Sequence, residues 1–242
     1  MRLLVTGGAG YLGSEIARVA LERGHDVLAT ELTNPAPHGR AVRVDLRSEA
    51  DVARIFLRWG PEVVIHTAYR QRPDEEVWDA VVRATANVAV AADRSGARLV
   101  HLSTDLVFDG ELERPYREED EAKPLVLYGE AKLAAERLVA ELQPQALVVR
   151  TSLLYGKADP GPQEQLALAG DTSFYTDEIR CPTLVGDVAA ALLDLAARDD
   201  VSGLLHLAAP DAVSRYELAR LLRSAHGADP DAIVGEPSPA GL

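Results

Sequence analysis

Three glycines at a spacing of three, Gly7, Gly10 and Gly13, separate the apolar run RLLVT at residues 2–6 from a helical pattern that begins at Tyr11. Few backbones suit that arrangement. Gly7 permits the tight turn that leaves a strand, Gly10 lets backbone approach a diphosphate at a helix N-terminus, and Gly13 lets the helix lie close on the strand. Gly7, Gly10, Tyr11, Leu12 and Gly13 are therefore the candidate residues facing a dinucleotide diphosphate, with a plain glycine turn as the alternative. Glu31 falls where the second strand should end. Its carboxylate can accept from both adenosine ribose hydroxyls and repels a 2′-phosphate, which tilts the reading toward NAD. His38 and Arg40 in the following loop keep NADP open, and a solvated strand end is the structural alternative for Glu31.

The rest of the chain keeps the same rhythm. Short apolar runs (DVLAT, AVRV, VVIHT, RLVHLS, ALVVRTS, GLLHLAA) alternate with helical patterns over residues 11–23, 51–59, 77–94, 185–198 and 214–225. Runs such as VVIHT that are apolar on both faces suit central parallel strands covered by helices on each side. The predicted fold is α/β, a Rossmann-type doubly wound parallel sheet. In the first helix Leu12, Ile16, Val19 and Ala20 form the stripe expected to pack on the sheet, and Gly24 closes the helix. The charged, proline-containing stretch from Phe108 to Val126 reads as a long loop. After Gly156 the pattern is irregular as far as Cys181.

Charge and cysteine content narrow the partners. A formal charge of −13 repels phosphate backbones and anionic membrane surfaces, so neither is an expected partner. No apolar run approaches the roughly 20 residues that a membrane span needs. Met1 and Arg2 lead straight into the first strand without a signal sequence, which makes the cytoplasm the expected location. Cys181 is the single cysteine and the six histidines are scattered, so neither an internal disulfide nor a metal site is expected.

Tyr128 and Lys132 lie four apart at the start of a helical segment, GEAKLAAERLVAE, and project from one face. A phenol titrates near about 10, so it exchanges protons at neutral pH only when a nearby cation stabilises its phenolate. Lys132 is the expected cation. By chance alone such a pair is common on exposed helices, but here it stands in one colinear order with GGAGYLG, VDLRS, HTA, STDLVFDG, YGEAK, RTSLLYG and DEIRCPT. That set, over residues 1 to about 225, resembles the extended short-chain dehydrogenase/reductase superfamily. Within it the match is closest to the dTDP-4-dehydrorhamnose reductase family, whose patterns resemble STDYVFDG, YGETK and RTSWVYG.

The resemblance implies an NAD(P)H-dependent enzyme that reduces a ketone, with the 4-keto group of a nucleotide-sugar as the expected substrate and Thr104, Tyr128 and Lys132 as the catalytic set. Lys132 would also hold the nicotinamide ribose. Asp45 and Leu46 would frame the adenine, and Thr67, Ala68 and Tyr69 would line the cofactor channel, with strand-end capping and core packing as their alternatives. Asp105 and Leu153 would face the substrate. One domain over residues 1–242 is expected, with a dinucleotide-binding core at about 1–155 plus 183–208. A small, truncated C-terminal substrate lobe would occupy about 156–182 and 209–242; a homodimer is left open.

Two positions depart from the family pattern. Leu106 replaces a tyrosine, and Leu153 replaces a tryptophan that helps form the sugar pocket, so aromatic docking surface is lost. Arg180, Lys157 and Arg215 are the basic residues expected to offset a substrate diphosphate. Two other functions stay open: a non-catalytic regulatory subunit, like that of methionine adenosyltransferase, and an epimerase. Dehydration is disfavoured because Leu106, not glutamate, follows Asp105.

Overall fold

The computed structural model describes residues 1–69, 76–170 and 172–239. Seven strands make one sheet: β1 (Arg2–Thr6), β2 (Asp26–Glu31), β3 (Arg40–Arg43), β4 (Val63–His66), β5 (Arg98–Thr104), β6 (Leu147–Thr151) and β11 (Gly203–His206). Their order is β11-β6-β5-β4-β1-β2-β3, and every neighbouring pair is parallel. The chain moves outward from β1 to β3, then crosses back to β4 on the other side of β1. Such a reversal leaves a crevice at the carboxyl ends of β1 and β4, where doubly wound sheets bind ligands.

The apolar residues of β1, β4 and β6 are buried on both faces, which explains why those segments lack alternation. Helix α1 (Tyr11–Glu22) buries Gly13, Ile16, Ala17 and Ala20, while Leu12 and Val19 of the expected stripe are only half-buried. Gly13 is the reason. Its lack of a side chain brings α1 close to the sheet on that side and rotates the buried stripe toward it. Ser48 caps α2 (Glu49–Trp59), which presents Val52, Ile55 and Phe56 to the core. A short α3 (Glu76–Trp78) passes through a π-helical turn at Asp79–Arg83 into α4 (Ala84–Ser95), and α5 (Leu127–Leu142) packs beside them. Between Phe108 and Val126 neither helix nor strand forms.

Two compact units result, one of Met1–Asp109, Arg117–Thr151 and Ala189–His206, the other of Gly110–Tyr116, Ser152–Val188 and Leu207–Leu242. The first holds the seven-stranded sheet. In the second, α6 (Pro162–Ala169) and α8 (Arg215–Ala225) enclose a separate core of Ala167, Phe174, Leu218, Ala219, Leu222 and Ile233. Short strand pairs accompany them, β7 (Leu154–Tyr155) with β10 (Thr183–Leu184), β8 (Ser173–Tyr175) with β13 (Val234–Glu236), and β9 (Ile179–Arg180) with β12 (Val213–Ser214). The remaining helix, α7, spans Val185–Ala196. Among the described residues no helix is long and apolar enough to cross a membrane.

Candidate active site

The glycine turn is tighter than any side chain would permit. Gly7 has φ +70°, and Gly10 N–H closes the turn on the Gly7 carbonyl at 2.8 Å. A Cβ on Gly13 would overlap that same carbonyl oxygen and stand 2.8 Å from Thr67 Oγ1, while one on Gly7 would reach the Ala68 Cα at 2.8 Å. Gly10 is exposed at the N-terminus of α1, and no side chain caps the helix there. The first-turn amides of Tyr11, Leu12 and Gly13 thus present the positive end of the helix beside the carboxyl end of β1.

Below the turn the polar groups interlock. Thr67 Oγ1 donates to the Thr6 carbonyl at 2.6 Å, and the amides of Thr67 and Ala68 donate to Thr6 Oγ1 at 3.2 and 3.3 Å. Both lone pairs of the Thr6 hydroxyl are then in use, so its proton goes to His66 Nδ1 at 2.6 Å. His66 therefore carries its own proton on Nε2 and donates it to Thr85 Oγ1 at 3.0 Å. On the adenosine side, one Glu31 oxygen accepts from the Ala36 amide at 2.7 Å. Asp45 is paired to Arg47 at 2.7 Å, which holds its carboxyl below the usual range. Leu46 sits in the core, and its carbonyl accepts from Asn87 Nδ2 at 2.9 Å. A groove of about 620 Å³ opens beside Asp45, lined by Arg47, Ser48, Glu49, Asp79 and Arg83.

At the end of β5 the chain bends through a 3₁₀ turn, Asp105–Val107, which Thr104 starts by accepting from the Leu106 amide at 3.2 Å. Thr104 Oγ1 also donates to Asp105 at 3.3 Å. Helix α5 begins against this turn: a Cβ on Gly129 would overlap the Leu106 carbonyl oxygen, so glycine at this position brings Tyr128 beside Asp105. Tyr128 is half-buried, with its ring 5.8 Å from that of Tyr69 and packed against Val77, Val81, Ala131 and Ala135. Burial, reinforced by Tyr69 and Asp105, pushes its hydroxyl above the usual phenol range. The phenol is thus kept protonated.

One turn on, Lys132 is 4% exposed. Its ammonium donates to the Leu102 carbonyl and lies 3.4 Å from His101 Nε2, both on β5. Burial pulls it down to about 8, partly offset by Glu136. The expected pairing of Lys132 with a Tyr128 phenolate is thus not the dominant contact in the structure, where the ammonium turns to the sheet. His101, Asn87, Gly129 and Glu136 all support the site and escaped the sequence reading, because each acts through a partner distant in sequence.

The buried imidazoles have a consequence for stability. Burial, with the Lys132 charge adding to it, pulls His66 down to about 3 and His101 well below the ordinary 6.5, so both are neutral in the folded chain. The unfolded chain takes up these protons first. Stability is therefore present above pH 6.5 and lost as pH falls from there toward about 3, at ~1.4 kcal/mol per pH unit for each histidine. Urea midpoints measured between pH 7 and 5 check this, and His66→Gln should remove one histidine's share of the slope.

In the second unit, Leu153 packs on the local apolar core. Arg180 is paired to Glu178 at 2.9 Å, and Arg215 approaches the same carboxylate at 4.0 Å. Among the described residues no group of three or more His, Cys, Asp or Glu side chains could hold a metal.

Similarity to known proteins extends over most of the chain. The family described as RmlD substrate binding domain matches residues 1–240. A dTDP-4-dehydrorhamnose reductase of Mycobacterium tuberculosis is 37% identical over 96% of this chain and 78% of its own length. The methionine adenosyltransferase 2 subunit beta of Bos taurus is 31% identical over 90% of this chain and 70% of its own length. Among solved structures, dTDP-4-dehydrorhamnose reductase of Bacillus anthracis in complex with NADP superposes with a TM-score of 0.85 at 25% identity, covering 98% of this chain and 84% of that one.

Proposed function

The chain belongs to the RmlD substrate binding domain family, and from that membership we propose that it is an NAD(P)H-dependent reductase of a nucleotide-sugar ketone. The expected reacting group is a 4-keto group. The observation that carries the proposal is the pair Tyr128 and Lys132, set on consecutive turns of α5 beside the end of β5 in the same unit as the glycine cradle. The cradle fits a dinucleotide because its backbone is bare where a diphosphate would lie and a helix N-terminus without a side-chain cap backs it.

The cradle of Gly7, Gly10 and Gly13 would hold a reduced nicotinamide dinucleotide, which would supply the hydride. The chain's own residues handle the proton. Negative charge builds on the carbonyl oxygen, and the Tyr128 hydroxyl donates the proton that turns it into an alcohol. A phenol held above its usual pKa is protonated at neutral pH and ready for this direction of reaction. Lys132 brings positive charge to the same helix face, and Thr104 offers a hydroxyl at the end of β5.

Glu31 supports NADH over NADPH, since its remaining carboxylate oxygen faces no partner among the described residues and would repel a 2′-phosphate. Glu31→Gln is expected to improve NADPH affinity relative to NADH by about tenfold, the scale of one charge interaction near a protein surface. Calorimetric titration with both nucleotides reads it. The similarity to a methionine adenosyltransferase subunit favours a second reading, a dinucleotide-binding regulatory protein, which would need neither Tyr128 nor Lys132.

The test is to mix the purified chain with NADH or NADPH and a panel of 4-keto nucleotide-sugars, and to follow the loss of reduced-nicotinamide absorbance. Turnover with at least one ketone is expected. Tight cofactor binding with no turnover across the panel would replace the reductase with the regulatory reading.

A further inference from the structure

The enzyme chemistry uses Lys132 but leaves unexplained why a histidine is enclosed behind it. His101 sits in mid-β5 with 0% of its surface exposed, its ring 5.2 Å from that of His66 on β4. Its Nε2 is 3.4 Å from Lys132 Nζ, whereas its Nδ1 meets no hydrogen-bond partner among the described residues. Enclosing an imidazole with one nitrogen unpaired is costly, and an apolar side chain would fill the same space without that cost. The expense is explained if the other nitrogen has a task.

An ammonium has only donors, so where Lys132 is charged the nitrogen facing it must offer a lone pair. That places the His101 proton on Nδ1. The other titratable groups around Lys132 are His66 from β4 and Tyr128 and Glu136 from α5, and Glu136 is already bound to Arg150 and Ser103. His66 spends both nitrogens on Thr6 and Thr85. His101 Nε2 is the ring nitrogen near Lys132 whose lone pair no other group takes.

We propose that His101 is a positioning residue: its Nε2 lone pair, presented from β5 to α5, fixes the Lys132 ammonium against the Leu102 carbonyl and favours its charged form. This rests on the reductase reading for its purpose, because a charged Lys132 keeps positive charge on the helix face from which Tyr128 gives up its proton. Loss of the charge would weaken reduction at alkaline pH.

The chain has three lysines, Lys123, Lys132 and Lys157, so lysine labelled with carbon-13 at Cε gives a resolvable titration. The Lys132 midpoint in the wild-type chain is expected near 8. His101→Leu should lower it by about one pH unit or more, the loss of a charge-assisted hydrogen bond, and His101→Gln, whose Oε1 can take the place of Nε2, should return it. In turnover the alkaline limb of kcat should move with the midpoint. Equal midpoints in wild type and His101→Leu would overturn the proposal. Should His101→Leu not fold, nitrogen-15 imidazole shifts of the wild-type chain decide alone: a proton on Nδ1 while Lys132 is charged supports it, and a proton on Nε2 overturns it. Neither the lysine titration nor the imidazole shifts require substrate. An inactive wild-type chain would therefore remove the proposed reaction and leave this coupling standing, while equal midpoints in an active enzyme would remove only the coupling.

Discussion

Tyr128→Phe is expected to lower kcat for ketone reduction by about 10²- to 10⁴-fold, the range for removing a positioned proton donor, while changing NADH affinity little. The ring stays where Val77, Val81, Ala131 and Ala135 hold it, so the substitution removes the hydroxyl without opening the packing. The glycine cradle, which would carry the binding energy of the cofactor, is built from β1, α1 and the segment after β4 and does not depend on that hydroxyl. Single-turnover rates and calorimetry on the same preparation separate the two effects. A variant that binds NADH normally but keeps more than a tenth of wild-type kcat would place the proton donor elsewhere.

The second large effect concerns stability. Arg150 and Glu136 form a bidentate ion pair at 2.9 and 2.7 Å with side chains only 6% and 7% exposed, and Ser103 donates to the same carboxylate. The Arg150 guanidinium also lies 5.0 Å from the centroid of the Phe108 ring. Removing one partner strands the other charge inside the fold, which costs about 3–5 kcal/mol, whereas replacing both by apolar side chains of similar volume is close to neutral. Glu136→Leu should therefore lower Tm by about 10 °C for a chain of this size. Adding Arg150→Met to it should recover most of that loss. Thermal unfolding of the single and double variants checks both signs, and a double variant no more stable than Glu136→Leu alone would contradict the buried-charge explanation.

Features dictated by backbone geometry were legible in the sequence. Gly7, Gly10 and Gly13 can be read because a turn with φ +70° and a helix lying against the Gly7 carbonyl exclude side chains whatever surrounds them. The central strands β1, β4 and β6 could be read because parallel strands covered on both faces have no polar face, and Tyr128 with Lys132 because a spacing of four fixes a shared helix face. Other features depend on neighbours brought together only by folding. The π-helical turn at Asp79–Arg83 is invisible because one extra residue per turn barely alters an apolar period. Helix α6 was missed because among its residues only Glu164 and Ala167 are buried, leaving Pro162 and Gly170 as its sole boundary signals. The neighbouring His66 and His101 rings come from adjacent strands far apart in sequence. The contacts of Lys132 on β5 are illegible for the same reason: a helix face says which side the residue leaves from, and only the sheet says what it meets.

On the proposed mechanism hydride passes directly from a nicotinamide seated at the glycine cradle to a ketone that Tyr128 protonates. The most direct test uses reduced cofactor carrying deuterium at both C4 positions of the nicotinamide, so that transfer from either face delivers the label, with mass analysis of the nucleotide-sugar product. The expected product carries one deuterium on the new carbinol carbon when the chain is wild type, with little product formed by Tyr128→Phe. Unlabelled product, or no product while the labelled cofactor is bound at saturation, would contradict the account.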